Sequence, residues 1–157
     1  MLADTHIPRR AKALPGCILA ALTDADHIIH AGDITGMEVL DTLAAFAPVT
    51  AVAGNIDPPE LRNALGEKKR LRRGGFVIGV CHGHGSRGTT LQRAIAAFEG
   101  EEADMVVFGH SHIPYLGHHD GMLLLNPGSP TDKRRSPYYS YGVIETGETL
   151  SARLVYF

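Results

Sequence analysis

Ile28-Ile29-His30-Ala31-Gly32-Asp33 and Val49-Thr50-Ala51-Val52-Ala53-Gly54-Asn55-Ile56-Asp57 share one design: a short apolar run that stops at a glycine followed by a polar residue able to bind metal. Phe76 to Cys81, ending at His82-Gly83-His84, and Met105 to Phe108, ending at Gly109-His110-Ser111-His112, repeat it. Such runs suit strands buried on both faces of a sheet. Asp4-Thr5-His6 is a fifth polar cluster, yet only Met1, Leu2 and Ala3 precede it. A strand usually needs about five residues, so the first strand reads as truncated, which predicts loosely held Asp4 and His6.

Between these runs, Leu14 to Leu22, Met37 to Phe46 and Thr90 to Phe98 carry apolar residues at helical spacing. Pro15, Gly36 and Gly88 lie near their starts, and Pro48 and Gly100 lie past two of the ends. They predict amphipathic helices covering the sheet. From Leu116 onward the pattern changes to Met122 to Leu125, Tyr141 to Glu145 and Leu150 to Tyr156. The turns Asp120-Gly121 and Gly147-Glu148 are of the kind that join antiparallel neighbours, which predicts a second, antiparallel sheet in the tail. The predicted fold is α/β, a four-layer α/β/β/α sandwich of two mixed sheets flanked by helices. At 157 residues and 44% hydrophobic content, residues 1–157 form a single expected domain.

Composition excludes several classes. Fifteen basic against seventeen acidic residues give a net charge of -2, which supports neither a nucleic-acid nor a membrane partner. Cys17 and Cys81 are too few for a disulfide framework, and no apolar run approaches a signal core or a membrane span, so the reducing cytoplasm is the expected location. The basic run Lys68, Lys69, Arg70, Arg72 and Arg73 follows Glu67 and precedes a double glycine, and reads as a solvated strand or loop. Exposed strand edges and the Tyr138-Tyr139 segment offer a route to homo-oligomers.

Nine histidines are many for this length, and His6, His82, His84, His110 and His112 fall in the polar clusters. In an open α/β sheet, ligands bind at the C-terminal strand edge, where loops converge without disturbing the core. There the clusters bring carboxylate oxygens, imidazole nitrogens and one amide oxygen, a set suited to Mn, Fe, Zn, Ni or Co more than to Ca or Mg. The donors exceed the needs of one ion. Two ions about 4 Å apart need a shared ligand, and Asp33 is the candidate bridge. Singly, Asp33 reads as a helix cap and His110 and His112 as turn residues. Five clusters, each after an apolar run, do not arise from caps and turns alone. His27 and His30 flank a buried strand and read as structural, while His118 and His119 lie beside a turn and read as solvated.

The order D-x-H, G-D, G-N, H-G-H, G-H-x-H resembles the calcineurin-like metallophosphoesterase superfamily, over nearly the whole chain. The G-N-x-D variant and Asn126-Pro127-Gly128-Ser129 look most like its small prokaryotic phosphodiesterase branch. Asp4 to Arg10 is similar to the early loop of the retromer subunit of the same fold, a non-enzyme. The resemblance implies that Asp4, His6 and His112 hold one metal and Asn55, His82 and His110 a second, with Asp33 between. It also implies that a hydroxide bridging the metals attacks the phosphorus of a small phosphate ester. Manganese is the first expectation for both ions. Many members carry histidine directly after the G-N asparagine, where this chain has Ile56. His84 is the candidate to serve the leaving group in its place, and Asp57 to orient a ligand or water. Arg9 and Arg10, close to His6, are the candidate contacts to an anionic substrate, together with Asn55. The alternative is a protein-binding scaffold that keeps the fold without turnover.

Overall fold

The computed structural model describes residues 1–157. Four helices, α1 (Gly16–Leu22), α2 (Met37–Ala44), α3 (Pro59–Leu65) and α4 (Thr90–Ala96), accompany nine strands: β1 (Ile28–His30), β2 (Val49–Ala51), β3 (Lys68–Arg73), β4 (Phe76–Cys81), β5 (Met105–Val107), β6 (Tyr115–His119), β7 (Met122–Asn126), β8 (Ser140–Thr146) and β9 (Leu150–Tyr156). One sheet runs β3-β4-β5-β7-β6, with β4, β5 and β7 parallel and an antiparallel strand at each edge. The other layer joins the parallel pair β1-β2 to the antiparallel hairpin β8-β9 through the first three residues. Leu2 bridges to His30, its amide donating to the Ile29 carbonyl at 2.9 Å and its carbonyl accepting from Ala31 at 2.9 Å. On the other side, the Gly142 amide donates to the Met1 carbonyl at 3.1 Å.

Side-chain alternation builds the four layers. Ala3, Ile29, Ala31 and Val52 of one sheet face Ile78, Val80, Met105, Val107, Leu123 and Leu125 of the other, forming the core between them. The alternate residues Leu2, Ile28 and Ala51 point outward onto Ile18 and Leu22 of α1 and Val39 and Leu43 of α2. Cys81, Val106, Phe108 and Leu124 point outward onto Ala94 of α4 and Phe98. Both faces of each central strand are therefore dry, which is why the runs are continuously apolar. α4 starts at a capping box, Thr89 accepting from the Gln92 amide while the Gln92 side chain accepts from the Thr89 amide. No helix is long and apolar enough to cross a membrane.

Two expectations are corrected. Only part of the tail forms the expected antiparallel sheet: β8 and β9 pair as one and join the β1-β2 layer through residues 1–3, whereas β7 pairs in parallel with β5, and β6 follows it. Leu123 and Leu125 face one core and Leu124 the other, so β7 has a two-sided apolar surface that only a central position buries. Asp4 and His6 are not loosely held; both are buried, with the Asp4 amide on the Gly32 carbonyl at 2.9 Å and the His6 amide on the Asp33 carbonyl at 3.1 Å.

His30 is fully buried, accepts from the Gly32 amide at Nδ1 (3.2 Å) and meets Thr5 Oγ1 at Nε2 (3.1 Å). Accepting at Nδ1 puts its proton on Nε2, so the ring is neutral, and burial pushes its pKa down to about 3 from 6.5. The unfolded chain takes up this proton below pH 6.5 while the folded one refuses it until about 3, so stability present above 6.5 is lost as pH falls through that window. The cost is about 1.4 kcal/mol per pH unit. Urea unfolding at pH 7.5 and 5.5 should show a larger loss for the native chain than for His30→Asn, even though the variant starts less stable.

Candidate metal centre

The site forms where the C-terminal ends of both sheets meet. Asp4 and His6 follow the first three residues, Asp33 follows β1, Asn55 follows β2, His82 follows β4, and His110 and His112 follow β5. Asp4, His6 and His112 bring one donor atom each to within 4.8 Å of one another, as do Asp33, His82 and His110. Asp4 Oδ1 lies 3.3 Å from His112 Nε2, 3.7 Å from His6 Nε2 and 3.9 Å from His82 Nε2. Asp33 stands between the two groups: Oδ2 is 3.4 Å from His6 Nε2, and Oδ1 is 3.3 Å from His82 Nε2. Asn55 Oδ1 joins the second group, 3.0 Å from His110 Nδ1.

The backbone carries unusual geometry to achieve this. Asp4, His6, Asp33, His110 and His112 all have φ between 49° and 67°, the left-handed region that β-carbons disfavour. Each costs about 1–2 kcal/mol, and such strain concentrates where function requires it. Two of the glycines are dictated by close approach. A side chain at Gly54 would land on the Asp33 carboxylate, and one at Gly109 would come within 2.9 Å of Asp4 Oδ2.

A hydrogen-bonded support holds the loops. Asp57 is buried beneath the site and accepts from the amides of Gly54 (2.7 Å), Asp33 (3.1 Å) and Thr35 (2.7 Å). It acts at one remove, its hydrogen bonds going to the backbone that carries Asp33 and Asn55. Asp4 Oδ2 accepts from the His110 amide at 2.9 Å. Asn126 donates to the Gly109 carbonyl at 2.8 Å, and Ser129 Oγ donates to the Asp4 carbonyl at 2.8 Å. These two residues and Asp132 belong to the site's frame and escape the sequence reading, because loop hydrogen bonds have no periodic pattern; Asn126-Pro127-Gly128-Ser129 is the one local signal.

The donors are also set chemically. His82 Nδ1 donates to the Ala31 carbonyl at 2.7 Å, and His112 Nδ1 donates to the Asp132 carbonyl. Each bond fixes a proton on Nδ1 and turns Nε2 toward the site. Burial disfavours a charge on His6, yet Asp33 and Asp4 raise its pKa to about 9. Burial likewise opposes charge on Asp33, but contacts with His6 and His82 hold its carboxyl far below the usual range. Two buried carboxylates thus demand positive charge around them.

Asp4 Oδ1 and the Nε2 atoms of His6, His82 and His112 are buried without any hydrogen-bond partner. Buried polar atoms are nearly always satisfied, so four orphans aimed at one place point to a ligand. Donors sharing an ion at about 2.0–2.2 Å stand roughly 3–3.5 Å apart, close to the separations here. The residues fit a divalent metal. Among the other candidates, His84 is half-buried, with its ring centroid 5.5 Å from that of His82, beside a cavity of about 240 Å³ lined also by Glu67, Lys68 and Arg93. Arg9 and Arg10 are exposed, and Arg10 Nε reaches Asp132 Oδ2 at 3.5 Å.

A four-layer α/β/β/α frame with two His/Asp donor groups at its strand ends defines a metal-binding α/β protein. Residues 1–149 match the calcineurin-like phosphoesterase superfamily domain, and the chain belongs to that family. It is 36% identical over 159 aligned positions to a probable metallophosphoesterase of Methanothermobacter thermautotrophicus, covering 99% of this chain and 90% of the relative. Among solved structures, it is similar to Vps29 complexed with zinc from Entamoeba histolytica (25% identity, TM-score 0.73, covering 99% of this chain and 96% of that one). It shares the fold of a novel archaeal phosphodiesterase (20% identity, TM-score 0.74, 99% and 97% covered).

Asp57 gives the support a test. Asp57→Ala leaves two buried amides and the part-buried Thr35 amide unpaired, the buried ones at about 1–3 kcal/mol each. The melting temperature should fall by roughly 10 °C, read by calorimetry; an unchanged value would remove Asp57 from the frame.

Proposed function

We propose that the chain is a two-metal phosphoesterase, most specifically a phosphodiesterase for a small or activated phosphate ester. Asp4, His6 and His112 hold one ion, Asn55, His82 and His110 the other, and Asp33 is shared. The observation that carries this reading is Asp33, whose two oxygens divide between an imidazole of each group. Manganese is the expected metal, and the zinc complexed by the Entamoeba relative supports a borderline-soft ion for the set. When bound, the ions supply the Lewis acidity that polarises phosphorus and makes a water nucleophilic near neutral pH.

The chain's own residues orient the ester and handle its proton. Asn55 is exposed, and Arg10 reaches Asp132 beside the buried donor group, where both can engage the phosphoryl oxygens of an anionic substrate; Arg9, exposed next to Arg10, is a second candidate. His84, beside the open cavity, gives a proton to the departing oxygen in place of the histidine that Ile56 replaces. A nucleic-acid substrate is disfavoured, since Lys68, Arg70 and Arg72 of β3 are engaged by Glu101 and Glu102. The scaffold reading draws on one feature, the exposed Tyr138, Tyr156 and Phe157 at the end of the β8-β9 hairpin.

Hydrolysis of bis-p-nitrophenyl phosphate with added Mn²⁺ tests the two. Asp33→Ala should lose at least about a hundredfold, since even outer-shell changes cost 10–100-fold. Equal rates for variant and native chain would leave the scaffold reading standing. His84→Ala should cost little with p-nitrophenolate but about a hundredfold when the leaving alcohol is a poor one. A loss independent of leaving-group pKa across a series of aryl and alkyl esters would remove His84 from that role.

A further inference from the structure

Asp132 lies outside both donor groups, in the loop after Asn126-Pro127-Gly128-Ser129, and four nitrogen-bearing groups converge on it. Its amide is held by Ser129 Oγ at 2.8 Å, and its carbonyl takes the Nδ1 proton of His112. Its Oδ2 lies 3.9 Å from His112 Nδ1, 4.0 Å from His6 Nδ1, 3.5 Å from Arg10 Nε and 3.9 Å from Arg134 Nε. That oxygen is buried and makes no close hydrogen bond. Asp132 is 17% exposed, against 65% for Arg10 and 48% for Arg134. One carboxylate therefore has imidazoles on its inner side and guanidinium groups on its outer side.

We propose that Asp132 is a positioning residue with two linked tasks: it steadies His6 and His112 from their Nδ1 sides, and it holds Arg10 and Arg134 over the same donor group as a clamp for an anionic ester. The proposal rests on the phosphoesterase reading above. The Asp132 carbonyl fixes the Nδ1 proton of His112, and the Asp132 carboxylate, 3.9 and 4.0 Å from the two Nδ1 atoms, acts on both rings through its charge, which raises the basicity of the opposite nitrogen. For His6 and His112 the opposite nitrogen is the orphaned Nε2. On the outer side, two guanidinium groups this close would repel each other without an anion between them. Asp132 supplies that anion, yet one negative charge against two leaves the rim positive. The planar forks match phosphoryl oxygens in pairs, so the surplus charge selects an anionic substrate without contact to the scissile bond. The two arginines are far apart in sequence, and only the fold brings them to one oxygen.

The experiment is titration of Mn²⁺ into chelator-stripped native chain, Asp132→Ala and Asp132→Asn, followed by calorimetry, with melting of each metal-free protein alongside. The asparagine variant keeps the shape of the loop and removes only the charge. Two binding steps are expected for the native chain. In both variants one step should weaken about 10–100-fold while the other holds, with metal-free melting close to native. Arg134→Gln should keep both steps and raise KM for bis-p-nitrophenyl phosphate. Native affinity at both steps in the Asp132 variants overturns the proposal. So does a parallel weakening of both steps with a collapsed melting temperature, the mark of a merely structural residue. An unchanged KM in Arg134→Gln overturns the clamp. If the native chain takes up no Mn²⁺, it is the phosphoesterase reading that fails, and this inference falls with it.

Discussion

Two carboxylates, Asp4 and Asp33, are buried side by side where the two sheets meet, and almost everything distinctive about this chain follows from having to keep them there. An isolated buried carboxylate is expensive, and two facing each other more so. The protein answers with imidazoles on every side: His6 and His82 approach Asp33, and His6, His82 and His112 approach Asp4. The raised pKa of His6 and the depressed one of Asp33 are two views of one balance. A divalent cation would satisfy the same demand with fewer protons, because the Nε2 atoms already face inward and metal binding releases the protons they carry.

Holding these groups in place governs the loops. Five donor residues adopt left-handed backbone, and the strain is tolerated because hydrogen bonds tie the loops to one another, within each sheet and between the two. Asp57 joins the turns after β1 and β2, Ser129 reaches the Asp4 carbonyl, and Asn126 reaches the Gly109 carbonyl. Side-chain bonds to backbone are the usual means by which irregular segments are fixed. The glycines of the G-D, G-N and G-H motifs belong to the same economy of space, which Gly54 and Gly109 illustrate most directly.

This division explains what the sequence alone does and does not reveal. Central strands buried on both faces leave continuous apolar runs, so β1, β2, β4 and β5 stand out, and so do the polar residues that end them. Those endings carry the donor set in order. α3 leaves no such mark, because Leu61 is its only buried residue and no apolar period forms. The allocation of β7 to one sheet and β8 to the other is equally invisible, since local turn chemistry reports that strands are neighbours without saying which sheet receives them. The capping residues and loop carboxylates, Asn126, Ser129 and Asp132, act at sequence distances of 15 to 125 residues, and no local pattern encodes that.

The two donor groups differ in exposure, and the difference bears on what each can do. Asp4, His6 and His112 are all buried, and their frame of Ser129, Thr131 and Asp132 ties the start of the chain to its last third. An ion there would be enclosed, and its removal would loosen contacts between distant parts of the fold. The second group is open: His110 is half-buried, Asn55 is exposed, and the cavity beside His82 and His84 leads away from it. A ligand entering from solvent meets this group first. Under the two-metal reading the buried group anchors Asp33 from one side, and the ester spans the open group and the guanidinium groups that Asp132 gathers beside the buried one. The shared carboxylate then transmits the rigidity of the first to the second, which is how a site made of exposed loops can hold the precision that phosphoryl transfer requires.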